Sequence, residues 1–421
     1  MYRFEGYILI ILFVLIVQKG EAQTQWSKSP QNLILTKANN FYEGTAIGSP
    51  SIIDEGDTLK MVYAAGGLDS KGRISYAYSI DGVTWIKYNR ATPVLDVSPA
   101  GNWDSHFLDT PEWIKDALGY KLYYFGDADN DPIGSAIGLA TSNDGIHWQR
   151  YGTQPVLKPG NPGDWDELYI ESPSVLFDGQ MYYLWYSGVD STYRVRIGVA
   201  ISKDGVTWTK FTSNPVIDVG TINSWEGFSV ATPTVIKRRG IFEMWYCGAS
   251  YYDLIDNNAI DTIRIGYATS SDGLHWTKFA YNPVMSTYDD PYTVFESRGP
   301  WAPDVIYRPL ENKYYMWYET AYGFGLATAP DDLLTIKEKQ WAPFRFTLSP
   351  NPVTDILRIR FSAVENPQGK IQLFNILGKQ IGEYAISQTM QIDTSILPPG
   401  IYFLVLKGRS TQIQKFIKLQ P

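Results

Sequence analysis

The sequence predicts an all-β protein, a five-bladed β-propeller followed by a small C-terminal β-sandwich, and three recurring features predict it. A landmark proline opens an apolar stretch at Pro50, Pro111, Pro173, Pro233 and Pro303, with successive gaps of 61, 62, 60 and 70 residues. About ten residues later comes a triplet of aromatic and flexible apolar residues, from Met61-Val62-Tyr63 in the first copy to Met316-Trp317-Tyr318 in the fifth. The motif Ser-x-Asp-Gly-x-x-Trp ends at Trp85, Trp148, Trp208 and Trp276. A fixed period of tens of residues means stacked or circular modules.

Each feature has a structural reading. The proline begins a strand, and the triplet fills a strand buried on both faces. Asp-Gly supplies the positive φ of a tight hairpin turn, which the following Trp covers. Pro93, Pro155, Pro215 and Pro283 follow these hairpins, whereas the fifth copy decays to Asp331-Asp332-Leu333. About four short strands per repeat and no helical periodicity is the content of a propeller blade. Closing five blades into a ring also removes the exposed edges that an open array would carry. The composition changes after Trp341-Ala342-Pro343, and from Phe346 alternating apolar residues between Asn, Gly and Pro turns give a small antiparallel sandwich of about seven strands. The propeller is therefore placed at residues 23–342 and the sandwich at 346–421.

The ends and the composition bound the function. Arg3, an apolar run from Ile8 to Val17 and small residues at Gly20 and Ala22 read as a signal peptide over residues 1–22, so the mature chain acts outside the cytoplasm. No later stretch reaches the roughly 18 uninterrupted apolar residues of a transmembrane helix. A formal net charge of −8 without a basic stripe argues against nucleic acid as a partner. The single cysteine, Cys247, excludes an intrachain disulfide framework and reads as a buried small hydrophobe. A monomer is expected.

Inner strands of a propeller converge on its axis, so side chains near their starts are candidates for chemistry. Two residues before the landmark proline stand Gly48, Asp109, Glu171, Ala231 and Trp301. A residue that the fold requires should repeat, and these do not. Asp109 and Glu171, on neighbouring blades, are thus candidates for the two carboxyl groups that glycosidic bond cleavage requires, one to protonate the leaving oxygen and one to activate water or attack the sugar. In contrast, Glu43, Asp104, Asp166 and Glu226 each follow an aromatic residue and precede the proline by seven residues, which marks them as scaffold. Trp103, Trp165, Trp225 and Trp301 precede the inner strands and are candidates for stacking on sugar. His147 and His275 occupy equivalent hairpins, whereas His106 is unrepeated and is a candidate for the funnel. No zinc-type spacing and no phosphate loop occurs, so no cofactor is expected, with a structural calcium in the channel left open.

The propeller segment, about residues 40 to 335, resembles the five-bladed glycosidases, the group of family 43 arabinanases and xylosidases with the family 32 invertases. Glu171-Ser172-Pro173 is similar to the group's Glu-x-Pro, which implies that Glu171 is the general acid. Asp109-Thr110-Pro111 is similar to its second Asp motif, which implies that Asp109 modulates that acid. Trp301-Ala302-Pro303-Asp304-Val305 is similar to a strand common in family 43. The sequence departs from the group at Gly48-Ser49-Pro50, where the base or nucleophile Asp would stand; Asp304, brought beside blade one by ring closure, is the expected substitute, with Glu43 the next candidate. The resemblance implies a secreted glycoside hydrolase acting on poly- or oligosaccharide. Two alternatives are a non-catalytic propeller binding glycans or proteins, and a family 130 mannoside phosphorylase, for which Arg298 would hold phosphate. The C-terminal segment resembles the sorting domain of type IX secretion cargo in Ser349-Pro350-Asn351-Pro352, Asn375-Ile376-Leu377-Gly378-Lys379 and Leu397-Pro398-Pro399-Gly400-Ile401-Tyr402. That implies the type IX machinery as a partner and release or attachment at the cell surface.

Overall fold

The computed structural model describes residues 26–128, 135–222, 224–250, 263–287, 299–331, 345–362, 370–376, 379–385, 389–407 and 412–420. The expected signal peptide lies outside them. The chain divides into two compact units, Met1–Asp332 and Leu333–Pro421.

The first unit is a ring of antiparallel blades, as the repeat predicts. Its inner strands are Ala46–Asp54, Phe107–Asp116, Tyr169–Phe177, Ser229–Arg238 and Trp301–Arg308. Each packs against the inner strands of the blades on either side, and the fifth packs against the first. The aromatic triplets lie in the second strands, where Tyr63, Tyr123, Trp185, Trp245 and Trp317 are fully buried between blades. The Asp-Gly loops extend this contact. Gly82 takes a φ of +76° while its carbonyl accepts hydrogen bonds from its own Trp85 and from Trp317 of the preceding blade, both at 3.0 Å. Trp185 does the same to the Gly273 carbonyl of the next blade at 2.9 Å. The loop is thus a fastener between blades as well as a turn.

The landmark proline does not start its strand. Each inner strand begins two to four residues earlier, and its pairing with the second strand skips two residues, for example between Glu171 and Ser174. The skipped residues form a β-bulge in all five blades. Ser49, Thr110, Ser172, Thr232 and Ala302, each just before the proline, have φ of 51°, 40°, 51°, 48° and 41°. Left-handed backbone costs a residue with a side chain roughly 1–2 kcal/mol. The proline itself fits here because an unpaired bulge position needs no N–H.

Hydrogen bonds between blades hold these bulges. Ser172 N–H donates to Thr110 Oγ1 and Thr232 N–H to Ser187 Oγ, each at 3.0 Å and each on the preceding blade. A second belt forms two residues beyond the proline: Ile52, Val175, Val235 and Val305 donate their N–H groups to Asp304, Glu112, Ser174 and Thr234 of the preceding blade, at 2.7, 3.1, 3.1 and 3.2 Å. Ser51 completes the belt by donating its hydroxyl to Glu112 at 2.7 Å.

The N-terminal segment closes the ring. Where the fifth repeat loses its Asp-Gly hairpin, Ser27–Lys28 and Leu35–Thr36 pair with Gly323–Pro330 as outer strands of blade five. Trp26 packs edge-on against Trp245, with ring centroids 6.0 Å apart. Asn32 spans the join, accepting from Leu326 N–H at 2.8 Å and donating to Leu326 C=O at 3.2 Å and to the Tyr318 hydroxyl at 3.1 Å.

The second unit has one sheet made of Arg345–Ser349, Ile356–Ser362 and Thr389–Asp393, and a second of Gln380–Ala385, Lys370–Asn375, Gly400–Lys407 and Gln412–Lys418. Leu357, Ile359, Ile371, Leu373, Leu404 and Phe416 form its core. Among the described residues no helix is long and apolar enough to cross a membrane.

If Asn32 fastens the ring, Asn32→Ala takes the side-chain acceptor from the buried Leu326 N–H, while Ser29 N–H still bonds the Leu326 C=O at 2.8 Å, and lowers propeller stability by about 1–3 kcal/mol in urea unfolding. An unchanged midpoint and slope would show that the ring closes without it.

Candidate functional site

The bulge decides which side chains of neighbouring inner strands come together. It reorients the strand between the residue two before the proline and the residue after it. The first set, Gly48, Asp109, Glu171, Ala231 and Trp301, stands on one side of the bulge; the second, Ser51, Glu112, Ser174, Thr234 and Asp304, forms the interior belt. Asp109 and Glu171 both belong to the first set and are electrostatically coupled neighbours.

A third carboxylate joins them from a place the strand-start comparison did not reach. Glu319 follows Trp317-Tyr318 in the second strand of blade five, opposite Trp301. Its side chain crosses the closing seam into the space above Gly48, where its Oε2 accepts the Ser49 N–H at 2.9 Å. A Cβ built on Gly48 would stand 2.6 Å from that oxygen. The missing side chain of blade one is therefore room for Glu319. The signal was present in the sequence, because the residue after the triplet reads Ala64, Phe125, Ser187, Cys247 and Glu319, and only the last is charged.

Burial and the Asp109 charge raise the affinity of both glutamates for protons. Burial, then repulsion from Asp109, pushes Glu171 up to about 7. Burial, then the same repulsion, pushes Glu319 up to about 8, against the opposing hydrogen bond from Ser49 N–H. Burial also raises Asp109, although Thr110 N–H at 2.6 Å and the Ser49 hydroxyl at 3.4 Å favour its anion. Asp109 is the group best held as a carboxylate, since two donors point at one of its oxygens. All three remain half-buried, open enough for a ligand to reach. Among the described residues, Glu171 has no hydrogen-bond partner, which leaves its proton available.

The other expected residues fall elsewhere. Asp304 is a buried member of the interior belt, bound by Ile52 N–H at 2.7 Å and the Thr234 hydroxyl at 3.3 Å. Its carboxyl neighbour is Glu112, whose proton affinity burial and the Asp304 charge both raise. Asp304, the expected substitute, thus stands on the other side of the bulge from Asp109 and Glu171, whereas the Glu319 carboxylate lies over Gly48. Glu43 is completely buried in a scaffold cluster with Lys87 at 2.6 Å. The same cluster recurs as Asp104 with Arg150, Asp166 with Lys210 and Glu226 with Lys278, at 2.7, 2.6 and 2.9 Å. Tyr124, Tyr186 and Tyr246 donate their hydroxyls to the last three acids.

Trp103, Trp165 and Trp225 lie against those tyrosines, with centroids 6.0, 5.6 and 6.2 Å apart, and over Gly126, Gly188 and Gly248. One contact made three times is a packing role. Trp301 differs: it is partly exposed, packs on Cys247 and Ile263 and faces Glu319 across the strand pair. His106 is drawn to its own blade, with Nδ1 3.5 Å from Asp127. Arg298 lies outside the described residues. Among the described residues no group of three or more His, Cys, Asp or Glu side chains is arranged to hold a metal ion.

Comparison with known proteins agrees with both units. Residues 347–419 match the family described as secretion system C-terminal sorting domain. The chain is 31% identical over 275 residues to an uncharacterized protein of Mycobacterium tuberculosis strain H37Rv, spanning 59% of this chain and 87% of that protein. It is 26% identical over 140 residues to a 1,2-beta-oligomannan phosphorylase of Thermoanaerobacter sp. strain X514, spanning 32% of this chain and 44% of that protein. Among solved structures, a GH130 family protein from a study of glycoside hydrolases that target beta-1,2 mannosidic linkages in Candida mannan superposes with a TM-score of 0.60 at 16% identity. That match covers 74% of this chain and 95% of the other, and shows the five-bladed glycoside-hydrolase fold.

Gly48→Ala tests the geometry of the cluster directly. Gly48 has ordinary extended backbone, so Ala strains nothing except the Glu319 carboxylate 2.6 Å from the new methyl. Displacing Glu319 is expected to lower its raised pKa toward 4.5, measurable by carboxyl NMR titration, with little change in melting temperature. An unshifted Glu319 titration would show that it does not sit over Gly48.

Proposed function

The chain belongs to the family of the mycobacterial protein and carries a glycoside-hydrolase propeller, and on that premise we propose that it cleaves glycosidic bonds at the Asp109, Glu171 and Glu319 cluster. The observation that carries this reading is Glu319 reaching over Gly48, which restores a carboxyl group where blade one has none. Glu171 acts as general acid: it keeps its proton near neutrality and has no competing hydrogen bond. Glu319 acts as base or nucleophile in the form that has lost its proton while Glu171 keeps its own, a minor form because Glu319 is pushed higher, to about 8 against about 7, and Ser49 N–H stabilises the anion. Asp109 stays charged between them and raises both pKa values, so that an acid survives at neutral pH. Trp301, beside Glu319, offers a ring face to a sugar.

A second reading, phosphorolysis, is favoured by the similarity to the oligomannan phosphorylase. Phosphate attack requires a cation pocket and makes a carboxylate base unnecessary. No Lys or Arg among the described residues hydrogen-bonds to any of the three carboxyls, whereas Glu319 supplies a base, and the balance favours hydrolysis. β-Mannosides are the first substrates to test, with and without inorganic phosphate; turnover that requires phosphate would reverse the order of the two readings. We also propose that the sorting domain carries the propeller to the cell surface or exterior through type IX secretion.

On any glycan that is turned over, Glu171→Gln lowers the rate about 10²–10⁴-fold while leaving the fold intact. Asp109→Asn removes the charge that disfavours ionisation of both glutamates, so both limbs of the pH profile of kcat/KM move to lower pH. Unchanged turnover in the first variant, or a profile moving upward in the second, would overturn the assignment. In the producing cell, deletion of residues 346–421 is expected to leave folded propeller in the periplasm; normal appearance of the truncated protein outside the cell would refute the sorting role.

A further inference from the structure

Blades three, four and five share a plug that blade two lacks. In blade three, Asn214 accepts the Val199 N–H and donates to its C=O, both at 2.9 Å. Asn282 does the same to Tyr267 in blade four, at 2.9 Å for each bond, and donates to the Tyr246 hydroxyl at 3.2 Å. Asn32 repeats the pattern in blade five. The plugged residue is always opposite the central residue of the aromatic triplet, as Val199 is opposite Trp185 and Tyr267 opposite Trp245. In blade two that residue is Leu139, opposite Tyr123.

The corresponding side chain there is Gln154, which is exposed and bends back to donate to Thr153 C=O at 3.1 Å. The space an Asn would fill becomes a cavity of about 190 Å³ on the flank of blade two, bordered by Trp103, Tyr124, Leu139, Arg150 and Tyr151. Leu139 C=O accepts from Tyr151 N–H at 2.7 Å. Its N–H has no side-chain partner among the described residues, although Leu139 is buried. Buried N–H groups nearly always have partners, so this one calls for water or a ligand.

We propose that this cavity is a second binding site, separate from the channel, for one ring of a neutral saccharide. Its volume equals that of about six waters at ~30 Å³ each, the space of a single sugar ring. The half-exposed Tyr151 supplies aromatic surface for the C–H face of a sugar, while Trp103, packed on Tyr124, walls one side of the cavity. The Leu139 N–H donates to a hydroxyl, and the Tyr124 oxygen, which in blades four and five receives the Asn amide, accepts from one. Arg150 is already paired with Asp104 at 2.7 Å and Lys158, at the rim, donates to Gln154 at 3.5 Å, so among the described residues no lining cation is left unpaired to select an acid. Holding one part of a glycan here would raise the local concentration of the rest at the same surface. The site does not depend on whether the channel cleaves its ligand.

Native affinity electrophoresis of the full chain carrying Glu171→Gln tests it, with galactomannan, arabinan, xylan, yeast mannan or polygalacturonate in the gel. At least one neutral polysaccharide is expected to retard the protein. Tyr151→Ala, which removes the exposed ring, and Gln154→Asn, which supplies the missing plug, are each expected to weaken retardation at least five-fold with melting temperatures unchanged. The proposal is overturned if no neutral polysaccharide retards the parent, if only polygalacturonate does, or if both folded variants migrate as the parent does, since binding would then lie in the channel.

Discussion

Each of the five inner strands around the axis carries one bulge, and in blades one, three and four its N–H is held by a hydrogen bond to the preceding blade. Everything near the axis depends on that bulge. The residue before each proline is pressed into left-handed backbone, a cost of roughly 1–2 kcal/mol per blade that is offset only where its N–H and that of the third residue on are bonded. The ring therefore stabilises its own strain. A blade detached from its neighbours would lose the partners that hold its bulge.

The same geometry separates two kinds of acid. Side chains after the proline point into the belt, where Glu112 and Asp304 accept backbone N–H groups and replace the Ser and Thr of other blades. Two before the proline, and across the strand pair in blade five, Asp109, Glu171 and Glu319 form the other group, in which the Asp109 charge acts on both glutamates. Both sets are buried enough to hold protons at unusual pH. Among the described residues only the second leaves a carboxyl, that of Glu171, without a hydrogen-bond partner. A raised pKa alone would have made Asp304 as good a candidate as Glu171; hydrogen bonding distinguishes them.

Departures from the repeat are concentrated where the ring closes and on the flank of blade two. At the closing seam the fifth hairpin is gone, the N-terminal segment supplies its outer strands, and Glu319 enters over Gly48. On blade two, replacing an Asn plug by Gln154 opens a cavity and frees a buried N–H. Four other acids, at Glu43, Asp104, Asp166 and Glu226, repeat with their basic partners and belong to the scaffold that makes such departures visible.

The sequence by itself determined the number of blades, the second strands and the sorting domain, because each rests on local chemistry repeated along the chain: apolar triplets, Asp-Gly loops and turn residues at a steady period. That Asp109 and Glu171 depart from the repeat is also legible there, since unlike residues at one repeated position are visible without coordinates. Tertiary structure alone decided that the prolines sit within strands, because a bulge is a relation between two strands that a one-strand pattern does not record. It placed Trp103, Trp165 and Trp225 on glycines far along the chain, and it sent Asp304 to the belt. Glu319 and Gly48 are 271 positions apart, and only closure of the ring makes the absence of a side chain at one the room for a carboxylate from the other.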